Sequence, residues 1–278
     1  MLKPLLLVPV LALFFLQISP TFGETSYRFD VRTPKIKQAG TAANVTIKLI
    51  GSKGSHSGTF DGDIFKLKMA KNDSKGKRIT YWKTINRFEQ GQVDDVAFGC
   101  NDLGELKSLI VSHDNRGSKA GWYLQDITVK SNGSSVVFPC NRWLATSADD
   151  GQLSRTLKPK NSLSHYIVRV HTGNRSKSGT DARVRMNLEG TSGELSSYQL
   201  DCTGDPFENS NVNTIHVYSD SLGELKSLKM WQDGTNDGSG WFLNKVVIML
   251  EGQPQKQWRF DFNRWLDDKR GRSATKTI

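Results

Sequence analysis

What the chain lacks narrows it first. Three cysteines in 278 residues, Cys100, Cys140 and Cys202, are too few for a disulfide scaffold, so each folded unit must stand on hydrophobic burial. Beyond the first residues no apolar run approaches the length that crosses a bilayer. No long stretch carries a helical period. Catalytic signatures are missing too. Gly190-Thr191-Ser192-Gly193 lacks the spacing of a G-x-S-x-G nucleophile elbow. The five histidines, His56, His113, His165, His171 and His216, form no metal-ligand set. These absences leave a binding protein, not an enzyme.

The one apolar run stands at the start. Lys3 precedes Leu5–Leu16, and Thr21-Phe22-Gly23 places small residues where a signal peptidase cuts. Residues 1–23 are therefore expected to be an export signal, with a secreted, extracellular chain from Glu24. Residues 24–278 are enough for two domains. Acid is scarce in the first of them. Residues 24–160 carry 22 Lys/Arg against 14 Asp/Glu, whereas residues 161–278 carry 15 against 14. Attraction to an anionic partner should act through the first half.

What is present is a repeat. Leu-Gly-Glu-Leu-Lys-Ser-Leu at 103–109 recurs unchanged at 222–228. Gly121-Trp122-Tyr123-Leu124 is echoed by Gly240-Trp241-Phe242-Leu243, and Asn141-Arg142-Trp143-Leu144 by Asn263-Arg264-Trp265-Leu266. The offset between copies is 139 at Tyr27/Tyr166 and 119 at Phe88/Phe207. The first copy thus holds about twenty extra residues between Ser52 and Arg87, as a lengthened surface hairpin would. Within each copy the pattern alternates: Val45, Ile47 and Leu49 with Thr46, Lys48 and Ile50, and Val184, Met186 and Leu188 with Arg185, Asn187 and Glu189. Period-two alternation broken by Gly, Asn, Asp and Ser clusters marks half-buried strands, and many of them in about 115 residues make a β-sandwich. The expectation is an all-β chain of two tandem sandwiches, at 24–147 and 163–278, joined by a linker at 148–162.

The ordered motifs GTAA at 40–43 or GTDA at 179–182, then F-x-x-G/S, LGELKSL, HDNRG at 113–117, GWYL and FPCNRWL at 138–144 resemble the PLAT domain. This lipoxygenase-homology module occurs in lipoxygenases, several lipases, polycystins and an α-toxin. The resemblance covers nearly all of the chain after residue 23. It implies eight antiparallel strands per sandwich and docking on membranes or proteins, in some members with calcium in the loops at one end. Carried over residue by residue, the calcium loops fit only the second copy, through Asp181, Asp201 and Asp205 with carbonyls around Gly179, Thr180 and Gly240. The first copy has Ala42 where the second has Asp181. Three carboxylates suit a weak extracellular site; the same Asp residues also suit ordinary turns.

Other candidates lie where the copies disagree. Trp231 replaces Ser112 and borders a polar loop; it reads as a membrane-inserting tip or as a cap on one sandwich edge. The insertion carries Lys66, Lys68, Lys71, Lys75, Lys77, Arg78 and Lys83, a solvated basic loop or a dock for anionic headgroups or sulfated glycans, at about 1 kcal/mol per residue. Nucleic acid is not an expected partner, since no zinc, helix or RNA-binding motif accompanies the charge. Sequons stand at Asn44, Asn72, Asn132 and Asn174, with Asn72 and Asn132 in expected turns. Export would permit a Cys100–Cys140 disulfide, the one pair inside a single copy; Cys140 as a buried thiol is the alternative. Two functions remain: a secreted module docking on anionic lipid or on membrane proteins, helped by calcium, or an extracellular protein-binding or matrix component.

Overall fold

Alternation in the sequence becomes stacked sheets. A computed structural model describes residues 24–62, 65–72, 78–235 and 240–278; the expected export signal, Lys75 and Lys77 lie outside them. In the first copy the strands are β1 (Thr25–Arg32), β2 (Val45–Gly51), β3 (Gly54–Phe60), β4 (Phe65–Asn72), β5 (Arg78–Ile85), β6 (Val93–Cys100), β7 (Leu106–His113), β8 (Trp122–Ser131), β9 (Ser134–Leu144) and β10 (Ser154–Leu157). In the second they are β11 (Ser164–Thr172), β12 (Val184–Gly190), β13 (Glu194–Gln199), β14 (Val212–Ser219), β15 (Leu225–Gln232), β16 (Trp241–Leu250), β17 (Gln253–Leu266) and β18 (Ser273–Thr277).

Four antiparallel sheets of four strands result. Their orders are β6-β1-β8-β9 and β10-β7-β2-β3 in the first sandwich, and β14-β11-β16-β17 and β13-β12-β15-β18 in the second. The extra residues of the first copy form β4 and β5, a separate two-stranded hairpin. No described helix is long and apolar enough to cross a membrane, and the two sandwiches leave no catalytic domain among the described residues.

The repeated motifs build the two cores. Val45, Ile47 and Leu49 point inward, as do Val184, Met186 and Leu188, each into its own apolar cluster. The Tyr27 hydroxyl accepts the Leu103 N–H at 2.8 Å, and Tyr166 accepts that of Leu222 at 2.9 Å. Each LGELKSL run is thus tied across to the opposite sheet. The Trp122 indole donates to Thr33 (2.9 Å) and Trp241 to Thr172 (3.1 Å), which settles the polar end of a wholly buried ring. At Gly51 and Gly190 a Cβ would stand 2.1 and 2.0 Å from the carbonyl oxygens of Leu103 and Leu222; backbone approach that close requires glycine.

One expectation gives way here, and one gains detail. The linker at 148–162 contains β10, which pairs with β7 as the eighth strand of the first sandwich, the place β18 fills in the second. The strand follows from sheet completion, since without it β7 would be an open edge. Cys100 and Cys140 do not pair. They occupy opposite outer strands of one sheet, roughly 14 Å apart at three strand spacings, too far for a disulfide. Burial pushes the Cys140 thiol up to about 11, as expected of an inert packed thiol.

The sandwiches meet through a polar junction. Asp149, its carboxylate almost sealed from solvent, is held by Arg142 (2.6 Å) and Arg155 (3.1 Å). Its backbone N–H donates to the Gln199 side chain (3.1 Å), while its carboxylate accepts the Gln199 N–H (2.9 Å). Arg142 also reaches the Ser196 carbonyl and stacks over Tyr198, whose hydroxyl donates to the Asn141 carbonyl. Asp201 lies beneath Trp143, accepting from its indole (2.7 Å) and from Gln199 (3.0 Å).

Burial raises the Asp201 pKa, outweighing those two hydrogen bonds. The raised folded value means its contribution is fully present below the unfolded value of about 3.9 and is lost as pH rises through the folded one. Asp201→Asn keeps an acceptor for both donors and removes the charge. Relative to wild type it is expected to be equal in stability at about pH 3 and below, and increasingly more stable as pH rises through the folded pKa of Asp201 towards 7, measured by denaturant unfolding across that range.

Candidate functional site

Loops at one end of the second sandwich gather a carboxylate cluster. The turn after β11 is fixed by Thr180, whose N–H donates to the Phe207 carbonyl (3.3 Å) and whose buried hydroxyl accepts the Ala182 N–H (3.1 Å). Phe207 sits in the left-handed region at φ 64°, its N–H donating to Asn213 (2.8 Å) and its ring against Trp241. The strained turn aims Glu208 back at the first loop. Gly179 admits it: a Cβ there would lie 3.1 Å from the Glu208 carboxylate.

Asp181, Asp205 and Glu208 consequently bring one carboxylate oxygen each within 4.8 Å of one another, the two aspartates exposed and Glu208 half-buried. Like charges so close repel. A hard divalent cation relieves that repulsion, and an all-oxygen, solvent-open set fits calcium, with carbonyls and water completing six to eight ligands.

The two copies differ at two of these three positions. Ala42 stands for Asp181 and Asn86 for Asp205, while Glu89 matches Glu208. The Asn86 amide donates to the Glu89 carboxylate at 3.3 Å, so a neutral donor occupies the place of a second charge. Glu89 nonetheless meets Gly40 as Glu208 meets Gly179. The scaffold of the site is duplicated; its charge is not.

Against this geometry the family comparison is decisive. The model of the PLAT/LH2 domain matches residues 56–158 and again residues 166–278. The chain belongs to the PLAT/LH2 family. Lipoxygenase homology domain-containing protein 1 of Homo sapiens is 28% identical over 274 residues, covering 86% of this chain and 12% of that protein. Polycystin-1-like protein 3 of Mus musculus is 32% identical over 107 residues, 38% of this chain and 5% of its own length. The chain therefore spans about one eighth of the first of these relatives. Among solved structures, coral 8R-lipoxygenase, described as calcium-activated through a C2-like domain, aligns at 26% identity over 40% of this chain and 16% of its own, with a TM-score of 0.36.

Of the residues expected at the PLAT calcium loops, the structure brings Asp181 and Asp205 together beside Gly179. Thr180 turns inward and holds the loop. Gly240 packs near Asp267 in the same loop cluster. Asp201 is not a ligand: the β12–β13 pairing carries it away to the junction beneath Trp143. Glu208 was not expected. Its signal was the Phe-Glu pair that both copies share, Phe88-Glu89 and Phe207-Glu208.

The remaining candidates scatter. Trp231 is no loop tip. Met230 and Gln232 point inward, so alternation lays Trp231 half-buried on the outer face of β15, between Arg185 and Ser273, with the Lys229 ammonium 5.5 Å from its ring. Lys66, Lys68 and Lys71 lie on β4, and Arg78 and Lys83 on β5. Asn132 takes φ 48° in the exposed β8–β9 turn. Asn174 is exposed in the loop after β11, and Asn72 ends β4. Asn44 is tied to Asp114 by two hydrogen bonds.

Calcium titrated into the protein is expected to bind once, weakly, and to raise the melting temperature of the second domain. Asp205→Asn should abolish both effects, and the pair Ala42→Asp with Asn86→Asp should add a second equivalent in the first domain. Isothermal titration calorimetry and scanning calorimetry read these outcomes.

Proposed function

We propose that this is a secreted, non-enzymatic binding protein whose second PLAT domain docks on anionic lipid surfaces through calcium. The observation that carries the reading is the Asp181–Asp205–Glu208 cluster, built in one copy and neutralised in the other. Calcium held there keeps open coordination positions facing solvent, because two of the three carboxylates are exposed. Headgroup phosphate oxygens are hard ligands of the kind calcium takes. The lysines of β4 and β5 add long-range attraction to the same surface.

A second reading, docking on a membrane-associated or matrix protein, is favoured by the junction. Two modules locked by Arg142, Asp149 and Gln199 present two faces at fixed separation, which suits a partner engaged at both.

Flotation with phosphatidylserine and phosphatidylcholine vesicles, with calcium or chelator, tests the first reading. Binding is expected only to phosphatidylserine with calcium, falling as salt rises and lost in Asp205→Asn. Equal binding to neutral vesicles, or binding unchanged by chelator, would contradict it.

A further inference from the structure

On the far side of the second sandwich two of the histidines come together. Tyr166, Val168, Ile215 and Val217 face the core, so His165 on β11 and His216 on β14 face outward. In the register His165 lies opposite Tyr218 and His216 opposite Ile167, which makes the histidines diagonal neighbours across adjacent strands. Their rings meet: His165 Nε2 is 2.9 Å from His216 Nδ1. On its other side His165 Nδ1 is 2.5 Å from the Glu251 carboxylate.

Everything around His165 holds it in place. Its ring stacks on Tyr218 at 4.2 Å and 15°, and its side chain is only 10% exposed. The Glu251 N–H donates to the His165 carbonyl at 2.9 Å, fixing the β16–β17 turn against β11. A 240 Å³ cleft bounded by Lys160, Tyr218, Glu251 and Gln253 opens beside it. His216, by contrast, is exposed.

We propose that His165 and His216 form a binding site for a first-row transition-metal ion, separate from the carboxylate cluster. A carboxylate accepting the Nδ1–H of one imidazole leaves its Nε2 as the free electron pair and fixes the ring, the arrangement that supports histidine ligands in metal sites. Glu251 does this for His165. The His216 ring, open to solvent, moves its proton to Nε2 and offers Nδ1, so no charge is gained or lost. Two nitrogens at about 2.05 Å from one ion stand about 2.9 Å apart when cis at a right angle, and about 3.3 Å apart in a tetrahedron. Without an ion the 2.9 Å contact is a hydrogen bond in which His216 Nδ1–H donates to His165 Nε2. An ion replaces that proton, and the nitrogens already stand at the separation of a right-angled ligand pair, which tetragonal Cu2+ and Ni2+ favour. Water supplies the further positions, because Glu251 is engaged at the opposite ring nitrogen of His165. Imidazole nitrogen rather than carboxylate oxygen selects these ions over calcium.

The first sandwich makes the same fold without this set. Ser26, Ala97 and Asn132 stand where His165, His216 and Glu251 do, so the scaffold does not require the trio.

The test is calorimetric titration of Ni2+ into the untagged protein, with paramagnetic broadening of amide resonances to locate the ion. One ion per chain is expected, with broadening centred on residues 165, 216 and 251. His216→Ala, an exposed change that leaves the core intact, should remove binding, as should His165→Ala. Glu251→Gln should weaken it roughly 10- to 100-fold. Asp205→Asn and His171→Ala should leave it unchanged, with near-ultraviolet circular dichroism confirming the fold of each. No binding, binding that survives His216→Ala, or broadening centred on Asp181 would overturn the proposal.

Discussion

One buried carboxylate governs how the two sandwiches act together. Asp149 is closed off from water between Arg142 and Arg155, and Gln199 of the other module satisfies both its backbone and its side chain. A buried charge is tolerated only when so fully paired. The consequence reaches the functional site. Because Trp143 closes over Asp201, the junction takes that carboxylate out of the loop cluster, leaving Glu208 as the third member. The loops after β9 are committed to the junction. The corresponding Arg264 and Trp265 of the second module instead engage their own loop through Arg270.

Duplication separates what the fold needs from what the molecule uses. Both copies keep the tyrosine that ties the opposite sheets, the buried tryptophan, the left-handed phenylalanine and the glycine under its glutamate. These positions answer to packing and backbone sterics, which are the same in each sandwich. The proposed sites lie where that constraint is slack: at loop ends, where Asp181 and Asp205 replace Ala42 and Asn86, and on the outer sheet face, where His165 and His216 replace Ser26 and Ala97.

Strand alternation and the repeat made the fold legible from sequence, because period-two burial is a local property. Asp181 and Asp205 were legible for a related reason, since they sit at fixed offsets from repeated residues. Asp201 misled because β13 carries a register shift between the pairs of Met186 and Leu188, and linear proximity to Asp205 hid its removal to another surface. Trp231 misled because its polar neighbours read as a loop, whereas β15 runs one residue past it. The histidine pair was invisible: residues 51 apart become neighbours only through the β11–β14 register. The junction was equally hidden, since a stretch without periodicity gives no sign that its acids will be buried.

If the carboxylate cluster is what sets the second copy apart in function, calcium must act on one loop end and leave its counterpart alone. Amide chemical shifts followed through a calcium titration test this residue by residue. The predicted result is saturable change confined to residues 179–181 and 204–209, with the matching residues of the first module, 40–42 and 85–90, unmoved. Changes of equal size in both loops, or none in either, would contradict it.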